Sequence, residues 1–394
     1  MFQLSPEDRE ALTTFAQGLV RLPSPSTQEK EVAERLCAEL ARIGFTDIRI
    51  DRIGNVIAHV GAGHGPAVFF DVHMDTVGVG DQRAWTHDPF GGEIDGGILY
   101  GRGAADMKGP IASLVYGIKQ LLDARLSLQG DLYIVGVVQE EPCEGYAMRV
   151  VVEEEGLVPD VVILCEPSDM QVAVGHRGRM EMRVTVQGVA AHASAPELGE
   201  NAIYSAARLI FGTELLASQL ASDSVLGRGS LAVTEIQSTA GSRNAIPDCC
   251  SFYIDRRLTL GETEARALLE IQGIINREHA RAKVEVTEYC ATSYTGYPCR
   301  AKQYYPAWLI MEEHSLVRSA VRAVEISLGY RPRLVRWAFS TDGAYTMGVA
   351  GIPTIGFGPG DERLAHSADE HVHLEDLYQA ASVYATLAAE LLVR

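Results

Sequence analysis

Five side chains that can bind metal ions stand where apolar runs of the sequence end. They are His73, Asp106, Glu141, Glu166 and His366. Imidazole and carboxylate groups, without thiolate, are ligands that suit zinc or cobalt, and carboxylates also suit manganese. A sixth group, the carboxylate of Glu140, adjoins one of these ligands. Together the six groups predict a hydrolytic centre that holds two metal ions.

The first candidate ligand lies near the end of the apolar run AVFFDVHMD (67–75). His73 and Asp75 are two residues apart, so on a strand their side chains project from the same face. This spacing suits a histidine ligand and the carboxylate that orients it. The glycine-rich segment GRGAADMKG (101–109) presents Asp106 just before an expected helix. Because the segment lacks the residue order of a phosphate-binding loop, we interpret Asp106 as a carboxylate that bridges two cations.

Two adjacent glutamates follow the run DLYIVGVV. In extended backbone Glu140 and Glu141 point in different directions, so one can bind a metal ion while the other stays free. A free carboxylate can take a proton from metal-bound water, because zinc lowers the pKa of that water to about 7. We therefore expect Glu140 to be the general base and Glu141 a ligand. An isolated pair of this kind is more often an exposed acidic dipeptide, and the companion ligands favour the functional interpretation.

The remaining ligands are Glu166, after the buried run VVILC, and His366, beyond a Gly/Pro loop. Each alone is typical of a solvated surface residue. His371 and His373 compete with His366 for the same role. The small residues around His366 favour it without deciding the choice.

Three candidates for substrate contact lie in the middle of the chain. His192 in GVAAHASAP could donate a hydrogen bond to an oxyanion or could be a surface histidine. Asn244 could donate from its amide or only shape the turn before Pro247. Arg257 could bind a substrate carboxylate, or it could be a surface charge of its strand, the interpretation that we favour for Arg256.

Helices and strands alternate along the first part of the chain. Ser5 is placed to cap a first helix, and a capping box from Ser26 to Glu29 predicts the start of a second. Short apolar runs with strand character follow, and the candidate ligands stand at their ends. This alternation predicts an α/β catalytic domain with a mostly parallel central sheet flanked by helices, and a site beyond the carboxyl ends of the strands.

The pattern changes from about Arg179 to the order β-α-β-β-α-β, which is typical of a ferredoxin-like unit. We therefore expect an inserted α+β domain over residues 179–290. The catalytic domain would then comprise residues 1–178 and 291–394.

Composition restricts the partners of the chain. Its 52 Asp and Glu residues exceed its 34 Lys and Arg residues, for a net charge of -18. Such a charge disfavours binding to nucleic acid or to an anionic membrane. The sequence has neither a basic and apolar leader nor an apolar run of roughly 20 residues, the length of a membrane span. We expect a cytoplasmic protein that acts on a small polar substrate.

Several motifs occur in order over nearly the whole chain: DVHMDTV, GRGAADMKG, QEEPCEG, GHRGRMEM, GVAAHASAP, GSRNAIPD and AHSADEH. Together they resemble the acetylornithine deacetylase, succinyl-diaminopimelate desuccinylase and carboxypeptidase G family. The segments VGHRGRMEM and ELGENAIYSAARLI are also similar to a poorly characterised branch of hydrolases linked to selenium metabolism.

The resemblance implies a di-zinc catalytic domain with an inserted lid and dimerisation domain, and hence a homodimer. It implies that one metal ion binds His73 and Glu166, that the other binds Glu141 and His366, that Asp106 bridges them, that Asp75 stands behind His73 and that Glu140 is the base. It brings His192 to the active site of the other subunit on lid closure. It also assigns substrate contacts to Arg177, Arg257, Thr341 and Gly358.

These predictions converge on a metal-dependent amidohydrolase that cleaves the amide bond of a small N-acyl amino acid by a metal-bound hydroxide. A dipeptidase, carboxypeptidase or aminopeptidase acting on short peptides is the alternative, since both substrate types carry an α-carboxylate. A catalytically silent metal-binding protein would have a damaged set of ligands, and here every expected ligand and the base are present.

Overall fold

The computed structural model describes residues 2–61 and 63–393. Its helices are α1 (Pro6–Val20), α2 (Lys30–Arg42), α3 (Gly109–Asp123), α4 (Tyr146–Arg149), α5 (Ala202–Ala217), α6 (Glu264–Arg277), α7 (Ser315–Leu328), α8 (Gly343–Thr346) and α9 (Leu374–Leu392). Its strands are β1 (Asp47–Ile50), β2 (Val56–Gly61), β3 (Ala67–His73), β4 (Glu93–Asp95), β5 (Ile98–Tyr100), β6 (Asp131–Val137), β7 (Val161–Leu164), β8 (Val172–His176), β9 (Gly178–Gln187), β10 (Ser222–Asp223), β11 (Gly227–Arg228), β12 (Ser230–Thr239), β13 (Cys249–Leu258), β14 (Ala282–Val286), β15 (Glu288–Thr292), β16 (Pro298–Lys302), β17 (Tyr304–Tyr305), β18 (Trp308–Leu309), β19 (Leu334–Trp337), β20 (Thr354–Gly356) and β21 (His371–His373).

The larger sheet has nine strands, in the order β1-β2-β6-β3-β7-β20-β8-β18, and β19 also pairs with β8. Its centre, β6-β3-β7-β20, is parallel. Antiparallel pairs flank this centre on both sides. The predicted α/β fold with a mostly parallel central sheet is confirmed. As a result of this pairing, the carboxyl ends of β6, β3 and β7 lie side by side.

Helices α3 and α9 pack closely against each other beside this sheet. Gly117 of α3 permits the approach, because a Cβ there would lie 2.6 Å from the carbonyl oxygen of Ala381. Almost the whole of α3 is buried, as expected of a helix that is apolar on most of its faces. None of the described helices combines the length and the apolar composition that a membrane span requires.

The smaller sheet has the order β12-β13-β9-β14, with β17 also paired to β9. Along the chain its elements follow the predicted order β9-α5-β12-β13-α6-β14, to which the short hairpin β10–β11 is added. Alternate residues of β9, from Met180 to Val186, join α5 and α6 in a second apolar core. The exact boundaries 179–290 stay a prediction, since Tyr304 of β17 also packs against this core.

Both predicted helices form, but only the first has the predicted N-cap. The Ser5 hydroxyl accepts a hydrogen bond from the backbone N–H of Asp8 at 3.0 Å, as an N-cap should. The capping box expected from Ser26 to Glu29 does not form, and α2 begins at Lys30 without a side-chain cap. The Ser26 hydroxyl instead donates to the carboxylate of Asp75 at 2.6 Å. The hydroxyl that was expected to accept from a helix N–H thus binds a buried carboxylate from another part of the fold.

Arg256 is buried, so the prediction that it is a surface charge is wrong. Its side chain is 1% exposed and pairs with Glu262 at 2.5 Å and with Glu270 at 2.9 Å. Adjacent strand residues face opposite sides of a sheet, so Arg256 points toward the helix-covered side and Arg257 toward the open side. The two acidic partners come from α6 and the turn before it, contacts that the strand sequence does not indicate.

Candidate metal centre

The centre lies where three neighbouring parallel strands end. His73 is the last residue of β3, Glu140 and Glu141 follow β6, and Glu166 follows β7. The register pairs His73 with Val137 at the end of β6, so these strand ends are level. Strand pairing therefore brings together residues that are far apart in the sequence.

Asp106 joins these residues from the segment between β5 and α3. Its Oδ1 lies 2.8 Å from Nε2 of His73, and the same nitrogen lies 3.9 Å from Oε1 of Glu166. One ligand atom from each of the three residues can be chosen so that all lie within 4.8 Å of one another. The three buried side chains thus form a first group that can hold a cation.

A second group lies on the other side of the same carboxylate. His366 Nε2 lies 3.4 Å from Oδ2 of Asp106 and 3.0 Å from Oε2 of Glu141. The two oxygens of Asp106 therefore face two different histidines. This is the arrangement required of a carboxylate that bridges two cations.

The charges and donor types of the centre fit a pair of divalent cations. Burial raises the pKa of Glu166 well above its ordinary value, and the charge of Asp106 raises it further. Burial likewise raises the pKa of Glu140, to which the charge of Glu166 adds. Hydrogen bonds to Asp106 and Glu141 raise the pKa of His366 to about 10. Two cations would offset the four carboxylates, and one imidazole with two carboxylates per group suits zinc, cobalt or manganese.

Asp75 contacts His73 in a different way from the one predicted. The Nδ1–H of His73 donates to the backbone carbonyl of Asp75 at 2.9 Å, whereas the Asp75 carboxylate is 3.6 Å away. A carbonyl only accepts, so this bond places the ring proton on Nδ1 and leaves Nε2 as the ligand atom. Besides the Ser26 hydroxyl at 2.6 Å, the Asp75 carboxylate accepts from the backbone N–H groups of Glu140 and Glu141, at 3.1 and 3.3 Å. Asp75 therefore holds the two glutamates as well as the histidine.

Glu140 is buried beside the ligands without serving in either group. Its side chain oxygen Oε1 has no hydrogen-bond partner among the described residues. An unpaired buried carboxyl oxygen is costly unless a ligand or a reacting group provides its partner. Its position next to the two ligand groups suits a proton acceptor.

A cavity of about 400 Å³ opens over the centre. It is lined by Val77, Asp106, Glu140, Glu141, Glu144, Glu166, Arg179, Arg257, Phe339, Ser340, Glu362, Ala365 and His366. Acidic groups and ligands therefore form one wall, and two arginines of the smaller sheet face the same space.

The two arginines differ in how tightly they are held. Arg257 is 27% exposed and pairs with Asp255, also partly exposed, at 2.8 Å. Arg179 is 11% exposed and is held between Glu144 at 2.8 Å and Glu181 at 2.6 Å. Arg257 is thus the guanidinium that a substrate carboxylate could reach more easily.

Three of the four substrate contacts that the resemblance implies, those other than Arg257, lie outside the cavity lining. Arg177 donates to the carbonyl oxygen of Arg228 at 3.1 Å. Thr341 is fully buried, and its backbone N–H donates to Nδ1 of His176 at 2.9 Å, while its neighbour Ser340 lines the cavity. Gly358 packs against the strand end, since a Cβ there would lie 2.4 Å from the carbonyl oxygen of Glu166. It supports a ligand through close backbone packing.

His192 and Asn244 lie close together on the smaller sheet's connections. The backbone N–H of Ala193 donates to the carbonyl oxygen of Asn244 at 2.8 Å, and both side chains are exposed. Neither residue lines the cavity of its own chain. Nδ1 of His192 accepts from the backbone N–H of Ser194 at 3.1 Å, so Nε2 carries the proton and is free to donate.

His371 and His373 lie on β21 and belong to neither ligand group. The ring of His371 contacts Tyr100, and its Nδ1–H donates to the carbonyl oxygen of Asp369 at 2.7 Å. Among the three competing histidines, the described ligand groups contain His366.

Several residues of the cavity lining are not predicted from the sequence, among them Arg179 and Glu144. Arg179 is the register partner of Arg257 on β9 and β13, so both side chains share the open face of the sheet. Glu144 belongs to the QEEPCEG motif and pairs with Arg179. Arg177 and Arg179 are two residues apart, so side-chain alternation along a strand does not distinguish them. Only the register between β9 and β13 shows that Arg179 lies opposite Arg257.

The chain is similar in sequence to known proteins. A family profile described as Peptidase family M20/M25/M40 matches residues 69–390. The uncharacterized protein YgeY of Escherichia coli strain K12 is 41% identical over 377 residues, which cover 95% of this chain and 93% of YgeY.

Two solved structures share the fold. The M20 family metallo-carboxypeptidase Sso-CP2 from Sulfolobus solfataricus has a TM-score of 0.78 at 16% identity, over 98% of this chain and 99% of that one. The Bacillus subtilis YXEP protein, a dinuclear metal binding peptidase from the M20 family, has a TM-score of 0.69 at 17% identity, over 98% of each chain. At these identities the likeness shows the fold alone.

Proposed function

The chain belongs to peptidase family M20/M25/M40, and we propose that within this family it hydrolyses the amide bond of a small N-acyl amino acid. The broader assignment, a metal-dependent peptidase or amidohydrolase, follows from the family. The finer one matches the deacetylase, desuccinylase and carboxypeptidase G resemblance of the motifs. It rests on one observation, a cavity in which two ligand groups sharing Asp106 face Arg179 and Arg257.

We propose the following ligands for the two cations. His73 and Glu166 hold one, Glu141 and His366 hold the other, and Asp106 lies between them. Zinc, cobalt and manganese all suit these donors. When bound, such a pair polarises a substrate carbonyl and makes water acidic enough to react near neutral pH.

Glu140 is the proposed general base. It accepts a proton from the attacking water and then donates it to the departing nitrogen, so the products are a carboxylate and an amine. Its backbone is fixed by Asp75, and its side chain is 6% exposed. Bulk water therefore competes little for the proton during the reaction.

Arg257 is the proposed partner of the substrate's carboxylate. Its ion pair with Asp255 is partly exposed, and such pairs contribute little free energy, so a substrate carboxylate can replace Asp255. A guanidinium binds a carboxylate through two parallel hydrogen bonds, which also orients the amide. Arg179, held by Glu144, places a second guanidinium on the same side of the cavity as Arg257.

A short peptide is the second candidate substrate, and Glu362 favours it. Its carboxyl group lines the cavity, and it has neither a hydrogen bond nor an ion pair in the described part of the chain. A peptide with a free amino terminus offers an ammonium group for this carboxylate. An N-acyl amino acid without a second amino group offers none, so Glu362 separates dipeptides from substrates of that kind.

We further propose that residues 179–290 form a lid through which two subunits associate. Helix α5 exposes Tyr204, Phe211 and Leu215, and β12 is an edge strand of its sheet. Exposed apolar side chains beside an unpaired edge suit a second copy of the same surface. His192 would then reach the cavity of the other subunit and donate from Nε2 to the developing oxyanion.

A substrate panel tests the proposed function. Protein loaded with zinc or cobalt is assayed with N-acetyl, N-succinyl and N-carbamoyl amino acids and with dipeptides. We expect at least one N-acyl amino acid to be hydrolysed in a metal-dependent way. Faster cleavage of dipeptides, with a KM that rises in Glu362→Gln, would favour the second candidate. Absence of metal-dependent hydrolysis across the panel would refute both.

A further inference from the structure

Glu370 connects two loops that carry ligands of the candidate metal centre. Its side chain is fully buried, four residues after His366. One carboxylate oxygen, Oε1, accepts hydrogen bonds from the backbone N–H groups of Ala105 and Asp106, each at 3.0 Å. The other, Oε2, pairs with the guanidinium of Arg102 at 2.6 Å. Every contact of this carboxylate thus goes to the segment that presents Asp106.

The segment that carries Asp106 has no regular structure of its own at this point. Asp106 has φ -127° and ψ 91°, outside the helical region, and the regular turns of α3 begin only at Gly109. Its backbone N–H therefore lacks a helical partner and would be buried without one, at a cost in free energy. Glu370 supplies that partner, and its own backbone carbonyl accepts from the N–H of Gly101 at 2.9 Å.

Arg102 keeps the carboxylate of Glu370 in place. Its side chain is 2% exposed, and its guanidinium also lies over the ring of Trp85, 5.2 Å from the ring centroid. A buried carboxylate is costly unless a charged partner and hydrogen bonds satisfy it, and here both are present. The arrangement is rigid, because each group is fixed by the other.

The position of Asp106 must be controlled closely, because its two oxygens face His73 and His366 on opposite sides, at 2.8 and 3.4 Å. A small rotation of its backbone would move both oxygens at once. We propose that Glu370 is a positioning residue that sets the metal affinity of the centre by fixing the shared ligand Asp106. The inference rests on the proposed two-metal centre. It assigns to Glu370 a contact with the backbone of a ligand and none with a cation or substrate.

The turn before α6 contains a matched control for Glu370. Glu262 is also buried, with Oε1 on the guanidinium of Arg256 at 2.5 Å and Oε2 on the backbone N–H of Thr259 at 2.9 Å. It lies outside both ligand groups. Glu370→Gln and Glu262→Gln therefore remove the same type of buried charge pair, one beside the metal centre and one far along the chain from it.

The experiment titrates metal-free protein with Zn²⁺ in competition with a chelator, at a temperature where each variant is folded. Partners of ligating groups affect metal affinity by about 10- to 100-fold. We expect a loss of this size in Glu370→Gln and none in Glu262→Gln, although both lower the Tm. The visible absorption of bound Co²⁺ should also change only in Glu370→Gln, because it reports the geometry of the shared ligand.

Glu370→Asp extends the test if the glutamine variant does not fold. It keeps the negative charge opposite Arg102 but shortens the side chain, so it cannot hold both N–H groups, and we expect reduced affinity in a folded protein. If wild-type protein binds two Zn²⁺ ions and the folded Glu370 variants bind both as tightly, the positioning role alone is overturned. Wild-type protein that binds fewer than two would overturn the two-metal centre itself.

Discussion

Replacement of Glu140 by glutamine separates proton transfer from metal binding. The change keeps the shape of the side chain and removes its ability to accept a proton at neutral pH. General bases contribute about 10²- to 10⁴-fold to a rate. Because Glu140 is 6% exposed and its Oε1 is unpaired, bulk solvent has little access to take its place. We therefore expect the upper part of that range, a loss in kcat of about 10³- to 10⁴-fold, or roughly 4 to 5.5 kcal/mol.

The same variant should not destabilise the metal-free protein. Burial raises the pKa of Glu140 well above its ordinary value, so the ionised carboxylate is disfavoured in the folded state. A carboxyl whose pKa is raised on folding lowers stability above its unfolded pKa, because the unfolded chain ionises more readily. Glutamine removes this effect, so we expect the Tm of metal-free Glu140→Gln to equal or exceed that of wild type.

The assay combines steady-state kinetics with metal analysis of the purified variant. Glu141→Gln, the same change at the adjacent residue, is the control, and it should lose metal because Glu141 belongs to a ligand group. Glu140→Gln should retain both metal ions. If Glu140→Gln held both metal ions and kept kcat within tenfold of wild type, the assignment of the base would be refuted.

Three further predictions concern packing, pH and assembly. Gly358→Ala should lower the free energy of unfolding by about 1 to 3 kcal/mol and weaken metal binding, because its Cβ would lie 2.4 Å from the carbonyl oxygen of Glu166. Gly273→Ala, where a Cβ meets nothing within 4 Å, should instead stabilise helix α6 by about 0.5 to 1 kcal/mol in the same urea titrations. Burial lowers the pKa of His176 to about 3, so its contribution to stability is present above about pH 6.5 and is lost on acidification toward pH 3. We expect the free energy of unfolding, measured in urea, to depend on pH less steeply in His176→Gln than in wild type, by up to about 1.4 kcal/mol per pH unit. Equal pH dependence in the two proteins would contradict the buried neutral state. Phe211→Glu on α5 should convert a dimer into a monomer in sedimentation velocity, whereas Leu269→Glu on the exposed side of α6 should not.

The parts of the fold that depend on local pattern could be predicted from the sequence. Apolar runs that end in His73, Glu141 and Glu166 indicated strand ends, and parallel pairing then brings those ends together. The order β-α-β-β-α-β of the smaller unit followed from periodicity in the same way. These features are decided by side chains near one another in the sequence.

The supporting contacts depend on tertiary partners and could not be predicted. The choice of Arg179 over Arg177 requires the register between β9 and β13, which no local pattern specifies. Ser26 was assigned to a helix cap, but the carboxylate of Asp75, 49 residues away, takes its hydroxyl. Glu370 lies 264 residues from the backbone of Asp106 that it holds. Each of these contacts joins loops whose proximity exists only in the folded chain.

The proposed function requires that Asp106 hold two cations between His73 and His366. Anomalous diffraction from crystals of the zinc-loaded protein, recorded on both sides of the zinc absorption edge, tests it directly. We expect two peaks per subunit, roughly 3.5 to 4 Å apart, one on each side of the Asp106 carboxylate. A single peak, or peaks away from this carboxylate, would contradict it.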